Sequence, residues 1–160
     1  MAQGPRESMI ERYTQGYATV AKALENITPA ELDAREAPDE WSPREIVHHL
    51  ADSEMTSAVR LRLLVAEGTP TIVGYDQEAF NRRLHYDRPI ESSLAAFRAA
   101  RDSTAALLDR MTEEDWSRQG THTESGPYSV MDWLEIYASH AHDHAGQIRR
   151  ARATVGDARA

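Results

Sequence analysis

The sequence predicts an all-α protein, a four-helix bundle with one long crossover connection, and three observations carry that expectation. Apolar residues recur at steps of three and four in four long segments. Ser/Thr-x-x-Glu start signals and Gly/Pro stops punctuate those segments. Residues 67–90 form a long stretch with little periodicity, the size of connection that crosses a bundle end or covers a site.

The first helix is expected over about residues 6–26, with Met9, Ile10, Tyr13, Tyr17, Val20 and Leu24 on one face. Thr28-Pro29-Ala30-Glu31 then restarts a short turn. Its hydroxyl and carboxylate can each satisfy a free backbone N–H, and Pro fits the first helical position. Ser42-Pro43-Arg44-Glu45 repeats that signal in full, with Trp41 placed as a staple, and opens a second long helix to about Ala66, stopped by Gly68 and Pro70. The connection over 67–90, with one short turn around Gln77–Leu84, reads as a crossover or lid. The third long helix runs from about Glu91 to Met111, with Leu94, Phe97, Ala100, Thr104, Leu107 and Met111 inward. Thr112-Glu113-Glu114-Asp115 starts another turn and Ser117–Tyr128 reads as a loop. Ser129-Val130-Met131-Asp132 caps a fourth helix over about 130–153, followed by a fraying tail.

At 160 residues and 18.0 kDa the chain is expected to be one domain, residues 1–160 with an ordered core of about 6–153. Eighteen Lys+Arg against 26 Asp+Glu give a formal charge of −8 with no basic block, which argues against a nucleic-acid partner. The mean hydropathy is −0.62, and no apolar run approaches the roughly 20 residues that a bilayer span needs, so no membrane association is expected. Cysteine is absent, which excludes disulfides, Cys-type zinc sites and a Cys nucleophile. Met1–Met9 lacks the apolar region of a secretory signal, so the cytoplasm is the expected compartment.

Five of the seven histidines fall in two helices. In the second helix the apolar stripe runs through Ile46, Val47, Leu50, Leu61, Leu64 and Val65; His49 lies at its border and His48 points nearly opposite. In the fourth helix Val130, Leu134, Tyr137, Ala141, Ala145 and Ile148 face inward. His140 and His144 lie on or beside that stripe, and His142 projects to solvent. Two imidazoles one turn apart can present ring nitrogens to one ion, and a third from a facing helix leaves an open coordination position, the layout of a catalytic metal site. The plain alternative is a set of packed, hydrogen-bonded core histidines. There is no His-Glu-x-x-His motif. The one Glu-x-x-His, Glu45 to His48, is expected to face solvent, so a di-iron carboxylate site is disfavoured and a mononuclear one favoured.

Glu54 falls within the apolar stripe, where an unpaired carboxylate is costly. It is a candidate acid/base near the metal, against the alternative of an internal salt bridge. Gln147 lies between His140 and His144 in helical angle and is placed to hydrogen-bond a ligand imidazole or metal-bound water. Asp52, one turn from His49, is a candidate to orient that ring. Tyr75, Asp76, His85 and His122 lie in loops of unassigned role.

Trp41-Ser42-Pro43-Arg44-Glu45-Ile46-Val47-His48-His49-Leu50-Ala51-Asp52-Ser53-Glu54 resembles the W-S-x-x-E-I-x-x-H-L-A-D-x-E signature of the DinB/YfiT-like superfamily. His140-x-x-x-His144-x-x-Gln147-Ile148 resembles its second signature, H-x-x-x-H-x-x-Q-I. The resemblance covers nearly the whole chain. It implies His49, not His48, as the first ligand beside His140 and His144, in a nickel- or zinc-type site at one end of a four-helix bundle, with dimers frequent. Many relatives carry two adjacent histidines where Asp143 and His144 stand; the ligand position is kept. Relatives include transferases and isomerases using glutathione, mycothiol or bacillithiol, so the resemblance does not fix one reaction.

The leading expectation is a mononuclear metalloenzyme acting on a small molecule. Its divalent ion, zinc or nickel ahead of iron or manganese, would deprotonate a low-molecular-weight thiol for transfer or isomerisation. The alternatives are a metal-dependent hydrolase and a non-enzymatic, stress-linked helical binding module. A homodimer is expected, with the aromatic face of the first helix as a candidate seam.

Overall fold

The computed structural model describes residues 3–158. Its elements in chain order are α1 (Pro5–Ala23), α2 (Pro29–Leu32), α3 (Pro43–Ala66), β1 (Thr71–Ile72), α4 (Gln77–Arg83), α5 (Glu91–Leu108), α6 (Glu113–Trp116), β2 (Gln119–His122), β3 (Gly126–Ser129) and α7 (Val130–Ala158). The four long helices α1, α3, α5 and α7 form the bundle. Helix α1 packs on α7 and α5, and α3 packs on the same two, so α1 and α3 stand across the bundle diagonal from each other.

The start signals act as the sequence indicates at three of four places. Thr28 Oγ1 accepts from the Glu31 amide at 3.2 Å while the Thr28 amide donates to Glu31 at 3.0 Å. Thr112 and Asp115 make the same exchange, and Ser129 and Asp132 form a matching pair at the start of α7. At α3 the box is half made. Ser42 Oγ accepts from the Glu45 amide, but the Glu45 carboxylate turns away to Arg35 and Asn81.

Three expectations are corrected. Residues 117–128 are not a plain loop: β2 and β3 form an antiparallel hairpin, and β1 joins β2 in parallel to complete a small sheet. These strands, Gln-Gly-Thr-His and Gly-Pro-Tyr-Ser, have no apolar alternation to announce them. Helix α7 continues past 153 to Ala158, because Arg152 pairs with Glu31 at 2.9 Å and donates to the Ala23 carbonyl at 2.7 Å, tying the last turns to α1 and α2. The aromatic face of α1 is covered at Tyr13, which is fully buried and offers no seam, whereas Tyr17 is half-buried with its ring 5.9 Å from that of Phe97.

The core has two halves joined by a polar centre. One half gathers Leu61, Leu64, Trp133 and Leu134 with the sheet; the other gathers Val20, Ile46, Leu50, Phe97 and Ile148. Between them the Arg101 guanidinium donates to Glu54 Oε2 through Nε and Nη2 at 3.2 and 3.0 Å, and both side chains are 1% exposed. The same guanidinium reaches the carbonyls of Tyr13 at 2.6 Å and Tyr137 at 3.3 Å, while the Tyr13 hydroxyl donates to Glu54. One cation thereby ties α5 to α1, α3 and α7. Gly16 permits the approach, since a Cβ there would sit 2.9 Å from that of Ala141 and collide with Arg101.

Arg101→Met leaves the Glu54 carboxylate buried without its cation and is expected to cost about 3–5 kcal/mol in urea unfolding. Adding Glu54→Leu is expected to recover most of that loss, since an apolar pair of similar volume leaves no charge stranded.

Candidate metal centre

Helix α3 delivers His49, and α7 delivers His140 and His144 one turn apart. The three rings converge, with centroids separated by 5.3 Å (49–140), 4.8 Å (49–144) and 4.6 Å (140–144). One nitrogen from each lies within 4.8 Å of the others. The sharpest measure is the 3.3 Å between His49 Nε2 and His140 Nε2. Two nitrogens each about 2.05 Å from a tetrahedral ion stand about 3.3 Å apart, so the spacing matches a shared coordination sphere.

The surroundings prepare these rings as ligands. Gln147 Oε1 lies 2.9 Å from His144 Nδ1, which donates to it; that fixes the tautomer and leaves Nε2 with its lone pair. Burial lowers the pKa of all three. His49 falls to about 3, helped by the neighbouring His144, and His140 is pushed well down by burial, by both other histidines and by Arg101. Neutral imidazole is the ligating form, so protons compete weakly at neutral pH. The His49 Nδ1 atom has no hydrogen-bond partner, and the Trp41 ring stands edge-on 4.7 Å from the His49 ring.

The other candidates are placed plainly. Glu54 sits in the ion pair with Arg101, the salt-bridge arrangement, one and a half turns along α3 from His49. Asp52 does not orient His49; its carboxylate accepts from the Tyr86 hydroxyl at 2.6 Å. His48 is buried rather than solvent-facing. It accepts from Ser93 at Nδ1 and donates to the Arg88 carbonyl from Nε2, because α5 and the segment before it cover that side of α3. Glu45 likewise faces Arg35 and Asn81 rather than open solvent. His142 is half-buried, bonded to the Arg12 carbonyl at 2.8 Å. Asp76 caps α4, His122 accepts from the Glu124 amide, and His85 lines a separate depression with Arg44 and Arg82. Arg101 was missed by the sequence reading. Its position four after Phe97 and three before Thr104 put it on the buried stripe of α5.

A cavity of about 330 Å³ opens beside His144 and Gln147, lined also by Asp39, Glu40, Trp41, Gln77 and Glu78. The last two belong to α4, so the long 67–90 connection does reach over the site. No helix among the described residues is long and apolar enough to cross a membrane.

A family model described as the DinB superfamily matches residues 12–148. A protein of Oceanobacillus iheyensis named as a presumed metal-dependent hydrolase, OB0782, is 35% identical over 118 residues, 74% of this chain and 69% of that one. YfiT of Bacillus subtilis, named in the same way, is 30% identical over 141 residues, 87% of this chain and 79% of its own. The solved structure of YfiT, described as "a probable metal-dependent hydrolase with an unusual four-helix bundle topology", superposes with a TM-score of 0.89 at 27% identity, covering 98% of this chain and 90% of that one. The mycothiol-dependent maleylpyruvate isomerase shares the fold at a TM-score of 0.74 and 10% identity, over 92% of this chain and 63% of that chain.

The depressed histidines set a pH dependence for the metal-free protein. His48, His49, His140 and His144 are held below their ordinary value in the fold, chiefly by burial. The unfolded chain, whose histidines titrate near 6.5, therefore binds more protons as pH falls, and stability present above about pH 6.5 declines below it. Chemical denaturation at pH 6.5 and 5 should show a drop of about 2 kcal/mol from His49 alone. The His49→Ala variant should lose that share of the slope.

Proposed function

We propose that this chain, which belongs to the DinB superfamily, is a mononuclear metal-dependent enzyme that hydrolyses a small-molecule substrate. The observation that carries this reading is the 3.3 Å approach of His49 Nε2 and His140 Nε2, with His144 oriented beside them by Gln147. His49, His140 and His144 would hold the ion, and as three protein nitrogens they leave coordination positions for water and substrate. A bound divalent ion would supply Lewis-acid activation of water at neutral pH. The names carried by OB0782 and YfiT support hydrolysis over other uses of such a site.

The protein's own groups have definite tasks in this scheme. Gln147 keeps the His144 proton on Nδ1, and the buried setting keeps all three rings uncharged. Trp41 packs against His49 and forms one wall of the opening, where α4 limits the entry of bulk water. Glu54 acts from within the fold: committed to Arg101 and Tyr13, it supports the placement of α3 against α7.

A second reading, activation of a thiol cosubstrate for transfer to an electrophile, rests on the complete absence of cysteine, which makes any thiolate at the ion an imported one. The two differ in what limits turnover. Protein purified without a His tag or chelator is expected to carry about one divalent ion per chain and to cleave p-nitrophenyl ester probes without added thiol. His49→Ala should remove metal and turnover together, and Gln147→Ala should weaken metal binding about 10–100-fold. Ester cleavage absent without thiol, together with thiol-dependent consumption of a chlorodinitrobenzene probe, supports the second reading instead. Full activity in metal-free His49→Ala contradicts both.

A further inference from the structure

Hydrolysis needs a group that takes a proton from the attacking water, directly or through one further water. The carboxylates that α3 carries near His49 are not free for that task. Glu54 is committed to Arg101 and Tyr13, Asp52 accepts from the Tyr86 hydroxyl, and Glu45 faces Arg35 and Asn81.

What remains faces the cavity. The space of about 330 Å³ walled by His144 and Gln147 also carries Asp39, Glu40 and Glu78 on its lining. Asp39 and Glu40 belong to the loop before α3 and make no side-chain hydrogen bond among the described residues. Glu78, on α4, is held in place. Its Oε2 accepts from the Trp41 indole Nε1 at 3.4 Å, and the Trp41 ring lies 4.7 Å from that of His49. One indole thereby links a ligand ring to a carboxylate on the same cavity wall. No cation among the described residues pairs with Glu78, and its second oxygen accepts no hydrogen bond from them. That oxygen is available for a proton.

We propose that Glu78 is the general base of this centre and that Trp41 positions it. This rests on the reading of the three histidines as the reacting centre of a hydrolase. An O–H bond of the attacking water breaks, its proton passes to the free oxygen of Glu78, and the water oxygen bonds to the carbonyl carbon of the ester. The bond from that carbon to the alcohol oxygen then breaks, and the departing oxygen takes the proton from Glu78. Ester and water become acid and alcohol, with the carboxylate restored. The role that the sequence offers to Glu54 thus falls to a residue of the long connection.

The test uses the zinc-loaded full chain and a p-nitrophenyl ester probe. Glu78→Gln keeps an oxygen for the indole N–H and is expected to lower kcat at least about 100-fold, with KM and zinc content little changed. Formate added to Glu78→Ala should raise kcat at least about tenfold, because a diffusible carboxylate can enter the space left by the side chain. Trp41→Phe keeps a ring against His49 but no N–H, and should lose about tenfold in kcat with zinc retained. His140→Ala should instead lose the ion itself, so the metal reading and the base are judged by separate readouts. In the metal-free protein, Glu78→Ala should move the Trp41 indole N–H resonance and leave those of Trp116 and Trp133 in place. A kcat of Glu78→Gln within about threefold of the parent, with zinc bound, overturns the assignment. So does Glu78→Ala indifferent to formate, or a Trp41 resonance that stays where it was.

Discussion

A guanidinium sealed inside a helical bundle dictates how its helices can slide past one another. Arg101 holds the Glu54 carboxylate of α3, the Tyr13 carbonyl of α1 and the Tyr137 carbonyl of α7 at once. Glu54 lies five residues beyond His49, and Tyr137 three residues before His140, so the clamp sits about 5–8 Å along the axis from the metal centre. A shift of one helix by a single turn would strand a buried charge and separate the imidazoles together. The fold's most expensive interaction thereby guards the register on which the candidate site depends.

The two polar features of the interior are built on opposite electrostatic logic. Around Arg101 the charges are kept and paired, whereas at the three histidines charge is suppressed. Burial disfavours every imidazolium, His144 adds to the effect at His49, and His144, His49 and the Arg101 cation add to it at His140. Neutral imidazole nitrogens 3.3 Å apart stand at the spacing that two ligands of one cation adopt. Gln147 completes the preparation with one hydrogen bond on the far nitrogen of His144.

What the sequence disclosed follows from what periodicity can express. Long amphipathic segments and caps at Thr28, Thr112 and Ser129 are local signals, and they located the four long helices to within a few residues. The inward placement of His140 and His144 also follows from one helix taken alone. A wheel with a single apolar stripe misplaced His48, because α3 is covered by α5 on one side and α7 on another, so nearly its whole girth is buried at that level. The small sheet escaped because its strands are short and polar, held by partners distant in sequence. Arg101 escaped because a cation on a buried stripe is recognised only once its carboxylate is seen opposite.

The position of α4 and the indole of Trp41 over the opening gives the long second connection a role that its composition alone does not reveal. It brings Gln77 and Glu78 to the rim beside His144, while Tyr75 just before it reaches back to Ser53. The measurement that bears most directly on this account is X-ray absorption at the metal edge of protein isolated without tag or chelator. The account predicts about one ion per chain with three imidazole nitrogens at about 2.0–2.1 Å and one or two lighter ligands completing the shell. An ion lacking imidazole scattering, or protein that binds none when divalent metal is supplied, contradicts it.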